Sequence, residues 1–377
     1  MKTVSQAVRI GLSALALGVT LAAQAQTPVI TSFSGNGVLV CSNLAPGSAA
    51  TVQWASSLSG PWQNNWAGLA AVTADTSGMI QVSVPMFYRV CVVAQTNSPP
   101  PSGMALIPAG SFTMGDTVDG EQNAIPTNVY VSAFYMDTNL VSYSQWQSVY
   151  NWATNQGYGF DNVGSGKAAN HPVQTVSWHD VVKWCNARSQ QAGLTPAYYT
   201  DAGLTQVYTN WDTDAVYPNW TANGYRLPTE AEWEKAARGG LSGLRFPWGN
   251  MISESQANYD SDFPAWSYDS GPNGFNAAFD TGGYPYTSPV GCFAPNGYGL
   301  YDMAGNVWEW CWDWFGTPYG QPTTTDPTGP ASSPSGLRLL RGGDWNLDAS
   351  LARCACRNSW FPTYAGYDVG FRCVRGH

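Results

Sequence analysis

The stretch from Asn296 to Trp310 combines oxygen-bearing side chains with glycines and aromatic residues. Asp302 and Glu309 supply two carboxylates, and the backbone carbonyls of Gly305 and Val307 lie between them in sequence. Hard oxygen ligands on an irregular loop are what Ca²⁺ binds in proteins. The residues follow neither the helical period nor strand alternation, so they predict an irregular calcium-binding loop. The alternative is a tryptophan-rich core loop whose acids point into solvent.

The histidines do not point to a metal site. His171, His179 and His377 lack metal-ligand spacing, and no carboxylate accompanies a histidine pair as a non-haem iron centre requires. We interpret His179 as a surface or capping residue of a helix. The sequence also lacks a serine-hydrolase elbow, a P-loop and a dinucleotide-binding fingerprint, so these enzyme classes are not indicated.

Composition limits the compartment and the partners. Lys2 and Arg9, an apolar run and Ala23-Gln24-Ala25 predict a secretory signal peptide over residues 1–25. Its removal takes two positive charges from a net charge of −9 and leaves −11. An acidic chain with no Lys/Arg run is unsuited to nucleic acid. No later segment has the length and apolarity of a membrane span, so we expect a secreted, periplasmic or cell-surface protein.

Two domains are expected after the signal peptide. Residues 26–95 contain short Val-, Ile- and Thr-rich runs between Gly, Pro, Ser and Asn, which predict a small all-β, sandwich-like domain. Cys41 and Cys91 lie in two of these runs and would pair in an oxidising compartment. The Pro-rich residues 96–103 predict an extended linker. Residues 104–377 form the second domain.

Three helices of the second domain have readable starts. Ser142 with Gln145, Ser177 with Asp180 and Thr229 with Glu232 have the spacing of capping boxes. The third helix also carries acids and bases at (i, i+4) spacing, which favours a solvated face over catalytic carboxylates. These acids are Glu230, Glu232 and Glu234.

Six motifs of the second domain occur in a recognisable order: Met104–Gly115, Gly224–Arg238, Phe246–Gly249, Asn296–Trp310, Leu340–Gly343 and Gly370–Cys373. Together they resemble the formylglycine-generating enzyme, or sulfatase-modifying factor, family. The resemblance implies an α+β, largely irregular fold related to that of C-type lectins. It implies structural calcium at Asp302, Gly305, Val307 and Glu309. The resemblance gives weaker support to a second calcium site. Asn258 and Tyr259 match the family there, but Gly282 stands where a carboxylate is expected. It also implies a disulfide between Cys185 and Cys373.

The family's copper chemistry is not matched. Its two copper-binding cysteines fall on Leu347 and Ala352 here, and neither side chain can bind Cu(I), which prefers soft thiolates. Cys354 and Cys356 are the local substitute, since residues i and i+2 of a strand share a face. Structural bridges, with Cys292 and Cys311 available, are the alternative.

Two functions therefore stand. The first is a calcium-stabilised binding or accessory module for a peptide, protein or glycan outside the cytoplasm. The second is a diverged sulfatase-modifying oxidoreductase that would use copper at Cys354 and Cys356. The candidate ligand-binding residues are Trp345, Asn346, Asp348, Arg353, Trp360, Phe361, Tyr364 and Tyr367.

Overall fold

The computed structural model describes residues 29–33, 38–54, 72–83, 88–92, 100–317, 319 and 324–377. The chain divides into two compact units, Met1–Pro99 and Pro100–His377. The division falls within the stretch expected to be a linker. The expected signal peptide lies outside the described residues. In the described part of the chain, no helix has the length and apolarity needed to cross a bilayer.

The first unit contains two antiparallel sheets in its described residues, with strand orders β1-β2-β5 and β4-β3-β6. A closed sandwich stays a prediction. The thiol of Cys41 on β2 is buried, but the side chain of Cys91 on β6 lies outside the described residues. The strands are β1 Val29–Phe33, β2 Val38–Ser42, β3 Ala49–Trp54, β4 Val72–Thr73, β5 Ile80–Ser83 and β6 Tyr88–Val92.

The second unit mixes short strands, helices and long irregular segments. Its described elements are β7 Met104–Ile107, β8 Gly110–Met114, β9 Thr127–Val131, β10 Phe134–Asp137, α1 Tyr143–Asn155, α2 Trp178–Gln191, β11 Tyr198–Tyr199, β12 Tyr217–Pro218, α3 Glu230–Ala237, β13 Asp260–Ser261, β14 Gly274–Phe275, β15 Trp308–Trp314, β16 Arg338–Arg341, β17 Asn358–Trp360, β18 Val369–Gly370 and β19 Val374–Gly376. β10 pairs with both β7 and β19, which brings the two ends of the unit together.

The helices begin where capping chemistry places them. Ser142 precedes α1, and its side chain accepts a hydrogen bond from Gln145 N. Ser177 and Asp180 form a reciprocal capping box before α2. Thr229 and Glu232 form another before α3. Each cap satisfies backbone N–H groups that the first turn of a helix leaves unpaired, so all three predicted starts are confirmed.

Strand β15 separates two hydrophobic cores. It lies in a four-stranded sheet of order β17-β16-β15-β18, in which β18 runs parallel to β15. Trp308, Trp310 and Trp312 project into the core that contains α1 and α2. Cys311 projects into the other core, where it packs with Trp233 and the alanines of α3. Successive side chains of β15 point to opposite faces of the sheet, so this one strand contacts both cores. The loop that precedes β15 is therefore held at the boundary between them.

Stacked aromatics hold α1 against α2. The rings of Trp146 and Trp184 are parallel within 3°, with centroids 5.7 Å apart. Phe371 from the C-terminal segment packs edge-on against both, at 6.0 and 5.2 Å. The indole of Trp184 donates to Trp146 O at 3.1 Å, so its polar atom is satisfied inside the core.

Replacing Trp184 with alanine should destabilise the second unit strongly. The side chain is fully buried, and loss of a core aromatic costs about 3–5 kcal/mol. Trp211→Ala is the matched control, because Trp211 is 79% exposed and should change stability by less than ~0.5 kcal/mol. Urea unfolding followed by circular dichroism measures both. Equal effects of the two substitutions would contradict this assignment of the core.

Candidate functional site

The loop that leads into β15 has a tightly turned backbone. Asp302 and Asn306 adopt positive φ angles of 54° and 70°, and Gly305 has φ 74°. A Cβ at Gly305 would lie 2.2 Å from Asn258 O, so only glycine fits there. The Asn306 side chain exchanges hydrogen bonds with the backbone of Ser288, at 3.0 and 3.2 Å. The loop is thus fixed against two other segments.

Asp302 is a buried carboxylate that the protein only half satisfies. Its Oδ2 accepts a hydrogen bond from Gly291 N at 2.7 Å, whereas Oδ1 has no partner among the described residues. Burial raises the pKa of Asp302 to about 6, although Gly291 N and the guanidinium of Arg372 oppose the shift. A desolvated carboxylate oxygen without a donor suits a bound cation.

Glu309 is shared with an arginine. Its two oxygens accept hydrogen bonds from Arg372, Nε to Oε2 at 2.7 Å and Nη2 to Oε1 at 2.9 Å. Arg372 also donates to Tyr301 O at 2.9 Å. Each carboxylate oxygen keeps a second lone pair for an ion. In the described residues, no three His, Cys, Asp or Glu side chains are grouped as metal ligands. Asp302 suits calcium better than Glu309 does, because Asp302 Oδ1 is unpaired whereas both oxygens of Glu309 already accept hydrogen bonds.

The side chains expected at the weaker second site make hydrogen bonds within the protein, and the acid that reaches Tyr259 is Asp269. Gly282 is an exposed turn residue with φ 72°, and the segment that pairs with β13 is β14. Tyr259 donates its hydroxyl to Asp269 Oδ1 at 2.6 Å. The side chain of Asn258 donates to Tyr286 O at 2.8 Å. Asp269 carries no periodic or capping signal in sequence, and only the β13–β14 hairpin brings it to Tyr259.

The acids of α3 are not a solvated face, and that expectation was wrong. Glu230, Glu232 and Glu234 are 1%, 8% and 0% exposed. Glu230 pairs with Arg357, Glu232 with Arg226 and Glu234 with Arg341. Glu234 also makes the expected (i, i+4) pair with Arg238, which is itself buried. The helix spacing is the same for a solvated face and for a buried ionic one, so only the distant arginines decide between them.

Arg341 donates hydrogen bonds to the backbone of the turn that contains Cys354 and Cys356. Its guanidinium donates to the carbonyls of Cys354 and Ala355 at 2.9 and 3.1 Å, and to that of Cys356. The cysteines therefore lie on a turn and not on the expected strand. Cys354 packs in the core of α3, whereas Cys356 packs in the core of α1 and α2. The argument that places both thiols on one face does not hold.

Both thiols are also poor metal ligands as they stand. Burial raises the pKa of Cys354 to about 12 and raises the pKa of Cys356 as well. They are therefore protonated near neutral pH, whereas Cu(I) binds the thiolate. Leu347 packs against the core of α1 and α2, and Ala352 is buried beside Phe246 and Ile252. Neither position provides a copper ligand.

Comparison with known proteins agrees with this arrangement. Residues 91–377 match the family model described as a sulfatase-modifying factor enzyme 1-like domain.

The chain belongs to the sulfatase-modifying factor family.

Its relatives have different names and activities. The formylglycine-generating enzyme of Bos taurus is 34% identical over 302 residues, which cover 74% of this chain and 76% of the enzyme. The chaperone protein LppX of Paenibacillus barcinonensis is 30% identical over 285 residues, which cover 72% and 89% of the two chains. The structure of Treponema denticola variable protein 1 aligns with a TM-score of 0.56 at 26% identity, covering 78% of this chain and 98% of that one. Membership in the family therefore defines the fold without defining one activity.

The two cysteines of the expected disulfide lie close together. Cys185 on α2 and Cys373 are both fully buried, with their Sγ atoms 3.6 Å apart. They are present as thiols. Cys292 is exposed, and Cys311 is buried in the core of α3.

The expected aromatic face separates into buried and exposed members. Trp345 and Arg353 are 0% and 5% exposed, and Arg353 pairs with Asp119 and Glu121. Asn346, Asp348 and Tyr364 are half-buried. Trp360, Phe361 and Tyr367 are 41%, 54% and 51% exposed. The rings of Trp360 and Tyr364 stack at 4.7 Å. The solvent-facing part of the candidate site is thus narrower than the sequence segment that contains it.

The burial of two polar residues, His179 on α2 and Asp344 after β16, was not expected from the sequence. His179 is 2% exposed and contacts the hydroxyl of Tyr208 at 3.3 Å, so it is a core residue and not a surface residue. Asp344 is 1% exposed, its Oδ2 has no partner among the described residues, and burial raises its pKa to about 8. The position directly after Gly342-Gly343 is the only sequence feature that could have drawn attention to Asp344.

Proposed function

We propose that this protein is a secreted binding or accessory module of the sulfatase-modifying factor family that has lost the copper oxidase chemistry. The observation that carries the proposal is the residue content of the oxidase loop. The family resemblance puts the copper cysteines at Leu347 and Ala352, and the nearby Cys354 and Cys356 are buried in separate cores. The fold is retained while the metal ligands are not.

The recognition face lies at the end of β17 and in the segment that follows it. Trp360 and Phe361 are exposed at the edge of the four-stranded sheet. Tyr364 stacks on Trp360 and donates its hydroxyl to Asp368 at 3.0 Å. Large aromatic surfaces with a few fixed polar groups are typical of recognition sites. The ligand would be a peptide, a protein or a glycan outside the cytoplasm.

Trp360→Ala and Tyr364→Ala should weaken ligand binding on a peptide or glycan array. Loss of a central aromatic contact costs more than about 1 kcal/mol, or roughly fivefold in affinity. Trp211→Ala serves as the control, since it also removes an exposed tryptophan. Binding that is unchanged by both face substitutions would place recognition elsewhere.

The alternative function is a sulfatase-modifying oxidoreductase, and the 34% identity to a formylglycine-generating enzyme favours it. A sulfatase peptide incubated with the protein, Cu(I) and oxygen would then gain an aldehyde, detected by mass spectrometry. Aldehyde formation that is lost in Cys354→Ala and Cys356→Ala would overturn the binding-only function. We expect the peptide to remain unmodified.

We propose structural calcium at Asp302, with Glu309 and the carbonyls of Gly305 and Val307 as further ligands. Burial raises the pKa of Asp302 from 3.8 to about 6, so its stabilising contribution is fully present below pH 4 and is lost as pH rises through 6. In excess chelator, stability relative to Asp302→Asn should fall by about 3 kcal/mol between pH 4 and 7. Calcium at about 100 times its Kd should restore ~2.7 kcal/mol. Melting curves recorded with chelator and with calcium measure the stabilisation by the ion. Identical curves would contradict the proposed calcium site.

We propose that Cys185 and Cys373 form a disulfide in the oxidising compartment. The bond would close a loop across 188 positions, and the chain-entropy model gives about 5 kcal/mol for such a loop. Reduction of the purified protein should therefore lower its melting temperature, and Cys185→Ala should show no further effect of reductant. Peptide mapping without reduction provides the direct measurement. Alkylation of Cys373 in the unreduced protein would exclude the bridge.

A further inference from the structure

The loop that follows β17, residues 361–368, is fixed to the core at three points. Its carbonyls at Pro362, Gly366 and Asp368 accept hydrogen bonds at 3.0, 2.9 and 2.8 Å. The donors are backbone N–H groups of α2, of the segment before α2 and of β15. A loop that is held in this way presents its side chains in one arrangement, which lowers the entropic cost of binding a ligand.

Asp368 has a carboxylate oxygen that the protein leaves free. Its Oδ1 accepts a hydrogen bond from the Tyr364 hydroxyl at 3.0 Å, whereas Oδ2 accepts none from another described residue. The residue is only half-buried, and Oδ2 is not an enclosed atom. A Cβ at Gly366 would lie 2.1 Å from Asp368 Oδ1 and 2.2 Å from the Tyr364 hydroxyl, so the backbone packs directly against this pair. A ligand on the surface can therefore reach an acceptor that is held in place.

Tyr364 joins this acceptor to an exposed aromatic face. Its ring stacks on that of Trp360, with centroids 4.7 Å apart and planes within 16°, while its hydroxyl holds Asp368. Trp360 remains 41% exposed. The indole and the free carboxylate oxygen are thus neighbours that a single tyrosine side chain connects.

The charges around this surface favour a ligand without net charge. Arg338 lies directly opposite Trp360 in the register of β16 and β17, which places both side chains on one face of the sheet. Its guanidinium is buried, donates to Trp312 O and forms no ion pair with a carboxylate of the described residues. A cationic ligand on Trp360 would meet this positive charge, and an anionic ligand would meet Asp368.

We propose that the surface made of Trp360, Tyr364 and Asp368 binds a neutral oligosaccharide. A pyranose ring presents C–H groups that pack on the electron-rich face of an indole, and its hydroxyls donate to a carboxylate oxygen such as Asp368 Oδ2. The inference rests on the proposed binding function and names the ligand class of the same face. A sugar residue carries both features in one group, whereas a polypeptide would need two side chains to supply them.

The test is fluorescence anisotropy with labelled tetrasaccharides of glucose, mannose, xylose and N-acetylglucosamine, and with one of galacturonic acid as the acidic member. At least one neutral tetrasaccharide should bind, and the acidic one should bind more weakly by about tenfold or more. Asp368→Asn should weaken binding of the neutral ligand by about tenfold or more, because an amide N–H group replaces the charged acceptor. Asparagine keeps an oxygen for the Tyr364 hydroxyl, so the loop should retain its structure.

Stacking is tested separately at Trp360. Trp360→Ala should weaken binding of the neutral tetrasaccharide by roughly fivefold or more. Trp360→Phe keeps an aromatic face and should bind within about threefold of the unmodified protein. Near-ultraviolet circular dichroism checks that each variant retains its tertiary structure.

A matched control separates Asp368 from the other acids of the chain. Asp262→Asn removes an exposed acid of another segment and should leave binding unchanged. The proposal is overturned if no neutral tetrasaccharide binds at about 1 mM, if the acidic one binds equally well, or if Asp368→Asn binds like the unmodified protein. Peptide binding that is lost in Trp360→Ala, without binding of any saccharide, would overturn the oligosaccharide inference and leave the proposed binding function standing.

Discussion

The second unit depends on buried ion pairs between α3 and distant arginines. Glu234 is fully buried and pairs with Arg341, while Glu230 pairs with Arg357. Desolvation of such charges is expensive, and removing one partner of a buried pair costs about 3–5 kcal/mol because the other charge is left uncompensated. The two ion pairs therefore hold Arg341 and Arg357 at fixed places beside the helix. They also fix the backbone between β16 and β17, which connects these two arginines.

Arg341 also fixes the backbone of the turn that contains Cys354 and Ala355. The same guanidinium that pairs with Glu234 binds the carbonyls of Cys354 and Ala355. Gly343 has φ 74°, and a Cβ there would lie 2.9 Å from Leu351 O, so the chain turns closely against itself just before Asp344. The ion pairs and the close turn therefore fix the backbone of this segment through the chain's own side chains and carbonyls.

The four-stranded sheet forms a buried support for the exposed aromatic residues at its edge. Trp308, Trp310 and Trp312 anchor β15 in the core of α1 and α2, and β16 and β17 continue the sheet to its edge at Trp360. Aromatic residues beyond that edge are half exposed, yet they contact rings or carboxylates of the core, as Tyr367 contacts Trp345. A site on such a platform changes its ligand by side-chain replacement without loss of the fold.

The sequence by itself determined the helix starts and the family, because capping boxes and ordered motifs act through neighbouring residues. The family resemblance also implied that Leu347 and Ala352 stand where copper ligands are expected. Tertiary structure alone decided which polar groups are buried. Glu234 has the spacing of a solvated acid, but in the fold it pairs with Arg341, 107 residues away, and accepts a hydrogen bond from Gly115 N, 119 residues away. In the same way Trp345 meets Tyr284 and Tyr367 only after folding. Contacts between distant segments leave no local periodicity, so their partners cannot be read from a single sequence.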